Sequence, residues 1–329
     1  MASLGWSRAM LVSTPGRGAL VDRASEILGD SVVEIFDRAV VHVPADTATE
    51  ANAAAERSSA DVLIALGGSS AIGVAKAIAL SSLLPIIAVP TTYGGSEMTP
   101  IWGMTRDGKK ETGRDPRVQP KVVIYDPDLT LSLPPRITAA SGLNAIAHCI
   151  EALYAPDAND ATNGLACEGL RLLASSLPRL AASPGDREQR GDALRGAMHA
   201  GWALGLVQMG LHHKLCHVIG GAFDLPHADT HAVMLPYTAA YNRDAAPAAM
   251  RTAAQVLGVE DTPSELLSIA QTIGAPLSLR EIGFLESDLS RAAELALERQ
   301  YPNPARVTLE RISILLDAAF SGDHDYITT

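Results

Sequence analysis

The stretch LHHKLCHVIGGAFDLPHADTH, residues 211–231, contains five of the nine histidines of this 329-residue chain. His213 and His217 are four residues apart, so they project from one face of a helix, and His227 follows a glycine-containing turn. Imidazole is the commonest metal ligand in proteins and also a versatile general acid and base. Three interpretations of the stretch are therefore open: a metal site, a site that transfers protons, or a histidine-rich surface.

A second pair of polar side chains has the same spacing. Asn144 and His148 lie four residues apart in SGLNAIAHCIEALY, again on one face of a predicted helix. Together with the downstream histidines they could surround one divalent ion. The alternative is that some histidines belong to the core or the surface, and we assign His212 and His231 to that class.

Two glycine-containing loops follow apolar segments in the first third of the chain. In IALGGSSAIGVAKAIAL, residues 64–80, a tight turn precedes a predicted helix whose first N–H groups could bind a pyrophosphate. PTTYGGSEMTP, residues 90–100, follows the next strand and would face the same crevice of a parallel sheet. Either loop could be only a structural turn, but the pair favours a dinucleotide site. Its predicted contacts are Gly67, Gly68, Ser69, Ser70, Thr91, Thr92 and Ser96.

Alternating strands and helices are predicted to hold these loops. Short, near-continuous apolar runs are typical of strands covered on both faces. Such runs occupy residues 9–12, 39–43, 61–66, 85–89 and 121–125. A capping box over Thr47–Glu50 predicts the start of an intervening helix. The pattern predicts an α/β, nucleotide-binding domain with a mostly parallel sheet over residues 1–135.

The pattern changes at Pro134 and Pro135. Downstream segments such as ITAASGLNAIAHCIEALY and LERISILLDAAF place apolar residues at helical spacing, and strand signals are nearly absent. Residues 136–329 are therefore predicted to form an all-α domain that carries the histidines.

Composition narrows the class of partner. The net charge of −11 argues against a nucleic acid, because phosphate binding needs clustered Lys and Arg. No uninterrupted apolar stretch of about 18 residues occurs, which argues against a membrane span. Three cysteines are too few, and odd in number, for a disulfide framework. We expect a cytoplasmic protein that acts on a small molecule.

Taken together, the GGSS turn, PTTYGGSEMTP, NAIAH and HKLCHVIGGAFDLPH resemble the iron-containing alcohol dehydrogenase superfamily, whose fold is dehydroquinate-synthase-like. Within that superfamily the chain is similar to the maleylacetate reductases. The segments that carry this second resemblance are STPGR (13–17), SEMTPIWGMT (96–105), KKETGRDPRV (109–118), VIYDPDLTLSLP (123–134) and SGLNAIAHCIEALYA (141–155).

The resemblance implies an NADH- or NADPH-dependent oxidoreductase that forms a homodimer. The implied reaction is reduction of the conjugated C=C bond of maleylacetate, a dicarboxylate, to 3-oxoadipate during the degradation of aromatic compounds. One rival is a metal-dependent alcohol dehydrogenase of the same superfamily. A lyase or synthase that uses NAD catalytically, and a non-catalytic nucleotide sensor, are more distant alternatives.

The resemblance also implies roles for the histidines. Metal-dependent relatives bind their ion with one Asp and three His, and the matching positions here are Asn144, His148, His213 and His227. Because an amide is a weaker ligand than a carboxylate, we expect that no metal is required. At most a weak residual site remains at His148, His213 and His227. Reduction of an enone needs a stabilised oxyanion and a proton. We expect His217 to donate the proton, while His148, His213 and His227 polarise and orient the substrate.

Only a few residues indicate which cofactor is used and how the substrate is bound. Many NAD-specific relatives carry an Asp after the first strand, and the matching residue here, Thr14, would not repel the 2′-phosphate of NADPH. Both cofactors are therefore expected to work. The substrate carboxylates need cationic or N–H partners, and the cationic candidates are Lys109, Lys110, Arg114 and Lys214.

Overall fold

The computed structural model describes residues 1–106, 109–299 and 301–329. The chain divides into two compact units, Met1–Thr130 and Leu131–Thr329. The sequence-based boundary after residue 135 falls in the first turn of a helix that begins at Pro135. A division a few residues earlier keeps that helix whole.

A five-stranded parallel sheet forms the core of the first unit, in the order β2-β1-β3-β4-β7, and β5 and β6 form a separate antiparallel hairpin. The strands are β1 (Ala9–Val12), β2 (Val32–Phe36), β3 (Val62–Gly67), β4 (Ile86–Pro90), β5 (Ile101–Arg106), β6 (Lys109–Arg114) and β7 (Val122–Val123). The helices are α1 (Gly18–Leu28), α2 (Ala45–Ser58) and α3 (Ser69–Ser82). This architecture confirms the predicted α/β fold with a mostly parallel sheet.

The two faces of the sheet are covered by different helices. Met10 and Val12 of β1 belong to one apolar cluster with buried residues of α2 and α3. Ala9 and Leu11 belong to another, with Val21 of α1. Because successive side chains of a strand point to opposite faces, covering both faces buries all four residues of β1. The strand sequence is therefore continuously apolar rather than alternating.

One of the predicted strands is wrong. Residues 39–43, AVVHV, form a loop in which His42 and Val43 have positive φ angles of 63° and 48°. The earlier run VVEIF forms β2 instead and pairs with the outer side of β1, with Val12 opposite Phe36. Both runs are apolar enough for a strand, and pairing with β1 selects between them.

The start of α2 and the β5–β6 hairpin also differ from the sequence prediction. Helix α2 begins at Ala45, directly after Pro44, and no side chain caps it. Thr47 therefore lies inside the helix, and the hydroxyl of Thr49 donates to the carbonyl oxygen of Ala45 at 2.9 Å. The hairpin was not predicted because β6, KKETGR, has no apolar run, and the apolar residues of β5, IWGMTR, are interrupted by Gly103.

Helices form the second unit, and its described residues contain no strand, as predicted. They are α4 (Pro135–Tyr154), α5 (Asp160–Ala182), α6 (Arg187–Leu206), α7 (Leu211–Ala222), α8 (His227–Asn242), α9 (Pro247–Leu257), α10 (Thr262–Thr272), α11 (Leu289–Leu297), α12 (Leu309–Ser321) and α13 (Asp325–Thr328). No helix in the described part of the chain is both long enough and apolar enough to cross a membrane.

Three of these helices carry the predicted histidine site. Residues 138–153 of α4 are all buried, so a central helix holds Asn144 and His148. On α7, Leu211, Leu215 and Ile219 are four residues apart and bury one face in the apolar core. Histidines two positions after these leucines therefore leave α7 on roughly the opposite face.

Candidate active site

The two predicted cofactor loops pack against each other. β3 ends at Gly67, α3 begins two residues later, and no side chain caps its first turn, which leaves N–H groups available for a phosphate. A Cβ at Gly68 would lie 2.9 Å from Cγ2 of Thr92. One at Gly94 would lie 2.9 Å from Oγ of Ser69. Glycine at both positions allows this close approach.

A buried lysine joins the two loops. Lys76 of α3 donates from Nζ to three backbone carbonyl oxygens of the second loop and of the strand that follows it. The acceptors are Ser96, Thr99 and Ile101, at N···O distances of 2.6, 2.8 and 2.8 Å. Burial lowers the pKa of Lys76 to about 7, against the opposing charge of Glu97, while the three carbonyl acceptors favour the ammonium form. The sequence signal that we missed is a single Lys inside an otherwise apolar helix.

The remaining predicted cofactor contacts lie at the carboxyl end of the parallel sheet, where dinucleotides bind in such folds. Thr14 follows β1, Thr91 follows β4, Ser70 lies in the first turn of α3, and Ser96 begins a short turn. Oγ1 of Thr91 is buried without a hydrogen-bond partner among the described residues, as expected for a polar group that binds a ligand. The two loops therefore fit a dinucleotide, and each individual contact stays a prediction.

Gly68→Ala should weaken cofactor binding. The new Cβ would press on Thr92, and overpacking of this kind costs about 1–3 kcal/mol, so we expect the Kd for NADH to rise by about fivefold to 150-fold. Fluorescence titration with NADH measures the change. Gly18→Ala is the matched control, because nothing lies within 4 Å of a Cβ at that position. Equal NADH affinity in the two variants would contradict the placement of the phosphate loop.

Six histidines gather in the second unit, and we call them the histidine cluster. They are His148 on α4, His212, His213 and His217 on α7, and His227 and His231 on α8. His148 and His213 stack with ring centroids 5.1 Å apart. His217 lies 6.2 Å from His213 and stacks on His227 at 6.1 Å. The structure thus brings the four predicted histidines together.

The histidine cluster has a buried end and a half-buried end. His148 and His213 are 4% and 3% exposed, and Asn144, one helical turn before His148, is 6% exposed. His217 and His227 are half-buried. His227 is the first residue of α8 rather than a loop residue. A proton donor at the half-buried end can exchange its proton with solvent, whereas the buried end cannot do so directly.

A carboxylate that the sequence analysis missed holds the buried end. Oε2 of Glu151 accepts from Nδ1 of His213 at 2.5 Å and from the N–H of Gly210 at 3.1 Å. Oε1 accepts from the N–H of His212 at 2.8 Å. Burial alone would raise the pKa of Glu151, but His213, with smaller contributions from His212 and Gly210, lowers it to about 2. The spacing of positions 144, 148 and 151 on one helical face could have revealed it.

His231 was predicted to be a core or surface histidine outside the site, and the structure places it inside the histidine cluster. Its ring centroid lies 4.5 Å from that of His227 and 5.0 Å from that of His213. Nδ1 of His231 lies 2.9 Å from Nε2 of His212. The spacing of four between His227 and His231 equals the spacing that identified His213 and His217, so the signal was present in the sequence.

His212, Cys216 and His231 form the one group of three potential metal ligands that lie within 4.8 Å of one another in the described part of the chain. The separation of 2.9 Å between the two imidazole nitrogens is that of a hydrogen bond. Burial and the charge of Glu151 raise the pKa of the Cys216 thiol well above its usual range. A protonated thiol is a poor ligand, so this trio is a hydrogen-bonded network.

Three of the buried imidazoles, those of His148, His212 and His231, have lowered pKa values. Burial, followed by the charges of neighbouring histidines, holds the pKa of His148 and of His231 well below the usual range. Burial and His213 lower the pKa of His212 to about 3, although Glu151 opposes the shift. At neutral pH these three rings therefore offer lone pairs and N–H groups rather than positive charge.

The donor set fits a divalent ion only weakly. Nδ1 of His148 and Nε2 of His213 are buried without a hydrogen-bond partner in the described structure, as the ligand atoms of an ion site would be. Glu151 supports His213 in the way that carboxylates support metal-bound imidazoles. However, Asn144 offers a neutral amide, and His148, His213 and His227 are not a group whose nitrogens converge within 4.8 Å.

Comparison with known proteins agrees with this geometry. Residues 1–127 match the iron-containing alcohol dehydrogenase family, and residues 138–320 match the C-terminal region of the Fe-containing alcohol dehydrogenase family. The chain belongs to the iron-containing alcohol dehydrogenase family. It is therefore an oxidoreductase, and the family resemblance predicted from the sequence motifs is confirmed.

Within the family, close relatives are maleylacetate reductases. The protein of that name from Burkholderia cepacia is 49% identical over 97% of this chain and 91% of the relative. The crystal structure of maleylacetate reductase from Rhizobium sp. strain MTP-10005 is 44% identical, with a TM-score of 0.92 over 98% of this chain and 91% of that one. The crystal structure of 1,3-propanediol oxidoreductase has a similar TM-score, 0.91, but only 28% identity, over 97% and 94%.

The four candidate cations for the substrate lie in different units. Lys110 and Arg114 are on β6 in the first unit, and the side chain of Lys109 lies outside the described part of the structure. Lys214 is half-buried on α7, directly after His213, and burial is the main cause that lowers its pKa. Of the four, Lys214 is the one that shares a helix with the histidine cluster.

Proposed function

We propose that this chain reduces the C=C bond of maleylacetate to 3-oxoadipate with NADH or NADPH. The observation that carries the proposal is the histidine cluster together with Asn144, which lies one helical turn before His148. At the position of Asn144, metal-dependent relatives have a carboxylate. The identity of 49% to a maleylacetate reductase supports it. In the balanced reaction, one hydride from the cofactor and one proton are added across the C=C bond to give CH–CH, and NAD(P)⁺ is released.

The chain's own residues handle the charge that this reaction creates. A nicotinamide cofactor held at the two glycine-containing loops would supply a hydride to the enone carbon remote from the ketone, and negative charge would then develop on the ketone oxygen. The Asn144 amide has N–H donors for that oxygen, whereas a carboxylate would repel it. His148, His213 and His227 polarise and orient the substrate, and Glu151 fixes the ring of His213.

His217 delivers the proton to the enolate carbon. It lies one helical turn from His213, and its ring contacts those of His213 and His227. Because it is half-buried, it can take up a new proton from solvent after each turnover. In this scheme the proton donor occupies the half-buried end of the histidine cluster, and the orienting residues occupy mainly the buried end.

Metal is dispensable in this proposal. An ion held at His148, His213 and His227 would act as a Lewis acid on the ketone oxygen. Hydride addition to an enone can instead be supported by hydrogen-bond donors alone. We therefore expect that prolonged treatment with a chelator changes kcat less than about twofold. An inactive enzyme that Fe²⁺ or Zn²⁺ restores would contradict this.

The test of the proposed function is NADH oxidation on addition of maleylacetate, with 3-oxoadipate identified as the product. The rival function, metal-dependent alcohol dehydrogenation, predicts NAD⁺ reduction by simple alcohols once Fe²⁺ or Zn²⁺ is added. Alcohol turnover without maleylacetate turnover would select the rival. No net NADH consumption with maleylacetate would reject the proposal outright.

Cofactor selectivity provides a separate prediction. Thr14, two residues after the end of β1, is half-buried and carries no charge. We therefore expect kcat/KM values for NADH and NADPH within about tenfold of each other. Thr14→Asp should lower kcat/KM for NADPH by about tenfold or more, because a carboxylate repels the 2′-phosphate. Thr14→Asn, which has a similar size but no charge, is the control. Equal effects of the two substitutions on NADPH would contradict the assignment of Thr14.

The same proposal includes the partners and the location of the enzyme. We propose a cytoplasmic homodimer that acts on a small dicarboxylate and has no nucleic-acid or membrane partner. The family resemblance supports the dimer, and the net charge of −11 supports the absence of a nucleic-acid partner. Light scattering coupled to gel filtration measures the oligomeric state.

A further inference from the structure

Lys76 is the one charged residue of α3, and its buried ammonium group is fully hydrogen-bonded. The residue is 1% exposed, and the other buried residues of the helix are apolar. Each of its three N–H groups has a carbonyl acceptor, at Ser96, Thr99 or Ile101, and the hydroxyl of Thr99 lies 3.0 Å from the same nitrogen. An apolar residue would fill this space without the cost of burying a charge, so the lysine serves its hydrogen bonds rather than packing.

The carbonyl groups that Lys76 binds lie at the far end of the second glycine-containing loop. Residues 91–100 connect β4 to β5 and contain one short 3-10 turn, Ser96–Met98. At the near end, the N–H of Thr91 donates to the carbonyl oxygen of Gly67 at 3.1 Å. Because buried carbonyl groups need donors, removal of the ammonium group would leave three acceptors unpaired and release the far end of the loop.

The middle of this loop packs on the predicted phosphate site. A Cβ at Gly68 would lie 2.9 Å from Thr92, and one at Gly94 would lie 2.9 Å from Oγ of Ser69, so the loop lies against the uncapped first turn of α3. Lys76 follows Ser69 by seven residues, which is about two helical turns and about 10 Å along the helix. All its N–H groups are donated to the loop, so the lysine acts on the phosphate site through the loop.

We propose that Lys76 is a positioning residue for the cofactor: its ammonium group holds the second glycine-containing loop in the conformation that accepts the pyrophosphate on the first turn of α3. Fixing the loop before the cofactor arrives removes part of the entropy cost of binding. The charge of Glu97, which is buried in the same loop, favours the ammonium form. The proposal rests on the proposed use of NADH or NADPH and does not depend on which substrate is reduced.

Lys76→Met tests this proposal, because methionine keeps an unbranched side chain but has no N–H group to donate. Fluorescence titration of the full-length protein should show a Kd for NADH raised by about tenfold to hundredfold, since several buried hydrogen bonds are lost. Hydrogen–deuterium exchange of the NADH-free protein should be faster in peptides that cover residues 91–101, and unchanged in peptides from α5.

Steady-state kinetics distinguish positioning from a general structural role. If Lys76 positions the loop, Lys76→Met raises the KM for NADH by about tenfold or more, while kcat at saturating NADH falls by less than about threefold. A loss of folded enzyme instead lowers kcat and leaves the KM unchanged, and that result would overturn the proposal.

Lys121→Met is the matched control. Lys121 is exposed and precedes β7, so it lies at the opposite edge of the parallel sheet from the two loops. Its replacement removes the same charge from the same unit, and the Kd for NADH should stay within about twofold, as is usual for surface substitutions. Near-ultraviolet circular dichroism checks that each variant is folded.

Thr99→Val is the second variant, for the case in which Lys76→Met does not fold. It removes only the hydroxyl 3.0 Å from Nζ, and it should raise the Kd for NADH by about twofold to tenfold. The proposal is overturned if folded Lys76→Met binds NADH within about threefold of the unmodified protein, or if Thr99→Val leaves the Kd unchanged. An unmodified protein that binds no NADH would overturn the proposed function as well, so the two failures are distinguishable.

Discussion

His217→Ala is expected to lower kcat for maleylacetate reduction by on the order of 10²–10⁴-fold, the usual contribution of a general acid. The physical reason is that the enolate must be protonated, and His217 is the half-buried imidazole next to His213 and His227. The NADH Kd should remain within about twofold, because the predicted cofactor contacts lie on other residues. Steady-state kinetics and an NADH binding titration measure both quantities.

His199→Ala provides the comparison for this prediction. It removes an imidazole from α6, outside the histidine cluster, and should change kcat by less than about twofold. A loss below tenfold for His217→Ala would remove His217 from the proton-donor role. A comparable loss in both variants would indicate a general effect of removing an imidazole rather than a specific role.

Glu151→Gln should combine a stability loss with an activity loss. The side chain is 1% exposed and accepts four hydrogen bonds, from His213, His212, Gly210 and the hydroxyl of Tyr154. Replacing one of its oxygens with an N–H₂ group places donor against donor, which should cost about 3 kcal/mol of unfolding free energy. Because His213 loses its orientation, kcat should also fall by about tenfold to hundredfold.

The pH dependence of this effect has a definite sign. The folded-state pKa of Glu151 is lowered to about 2, below its unfolded value. Its contribution to stability is therefore fully present above the unfolded pKa of about 4.3 and is lost as pH falls toward the folded pKa. Denaturant titrations between about pH 7 and pH 3 should show the gap between the unmodified protein and Glu151→Gln narrowing as pH falls.

Glu168→Gln is the matched control for Glu151→Gln. Glu168 pairs with Arg171 on the surface of α5, where its side chain is 41% exposed. Exposed ion pairs contribute about 0–1 kcal/mol, so its loss should have a small effect at every pH. A stability gap for Glu151→Gln that stays constant or widens in acid would show that the carboxylate is not held ionised by its neighbours.

Much of the first unit was predictable because burial on both faces of a parallel sheet leaves a strong local signal. The runs at β1, β3 and β4 are continuously apolar, and they became strands. The failure at residues 39–43 has a non-local cause, since VVEIF and AVVHV are both suitable strands and only pairing with β1 separates them. Lys76 was missed for a similar reason. Its acceptors lie at least 20 residues away in sequence.

The histidine cluster was predicted in outline, but its internal order was not. Helical spacing places His148, His213 and His217 on shared faces, and the structure brings them together with His227. Spacing does not specify which histidines are paired with one another, so His231 was left aside although its spacing from His227 is the same. The position of its ring depends on a chain of hydrogen bonds through His212 to Thr238 that joins two helices.

Transfer of deuterium from the cofactor tests the central claim most directly. With NADH that carries deuterium at the transferred position, mass spectrometry should show 3-oxoadipate one mass unit heavier, with the label on the former enone carbon remote from the ketone. That carbon does not exchange its hydrogens with solvent, whereas the carbon next to the ketone, which receives the proton, does. Deuterium on a carbinol carbon, from reduction of the ketone itself, would contradict the account.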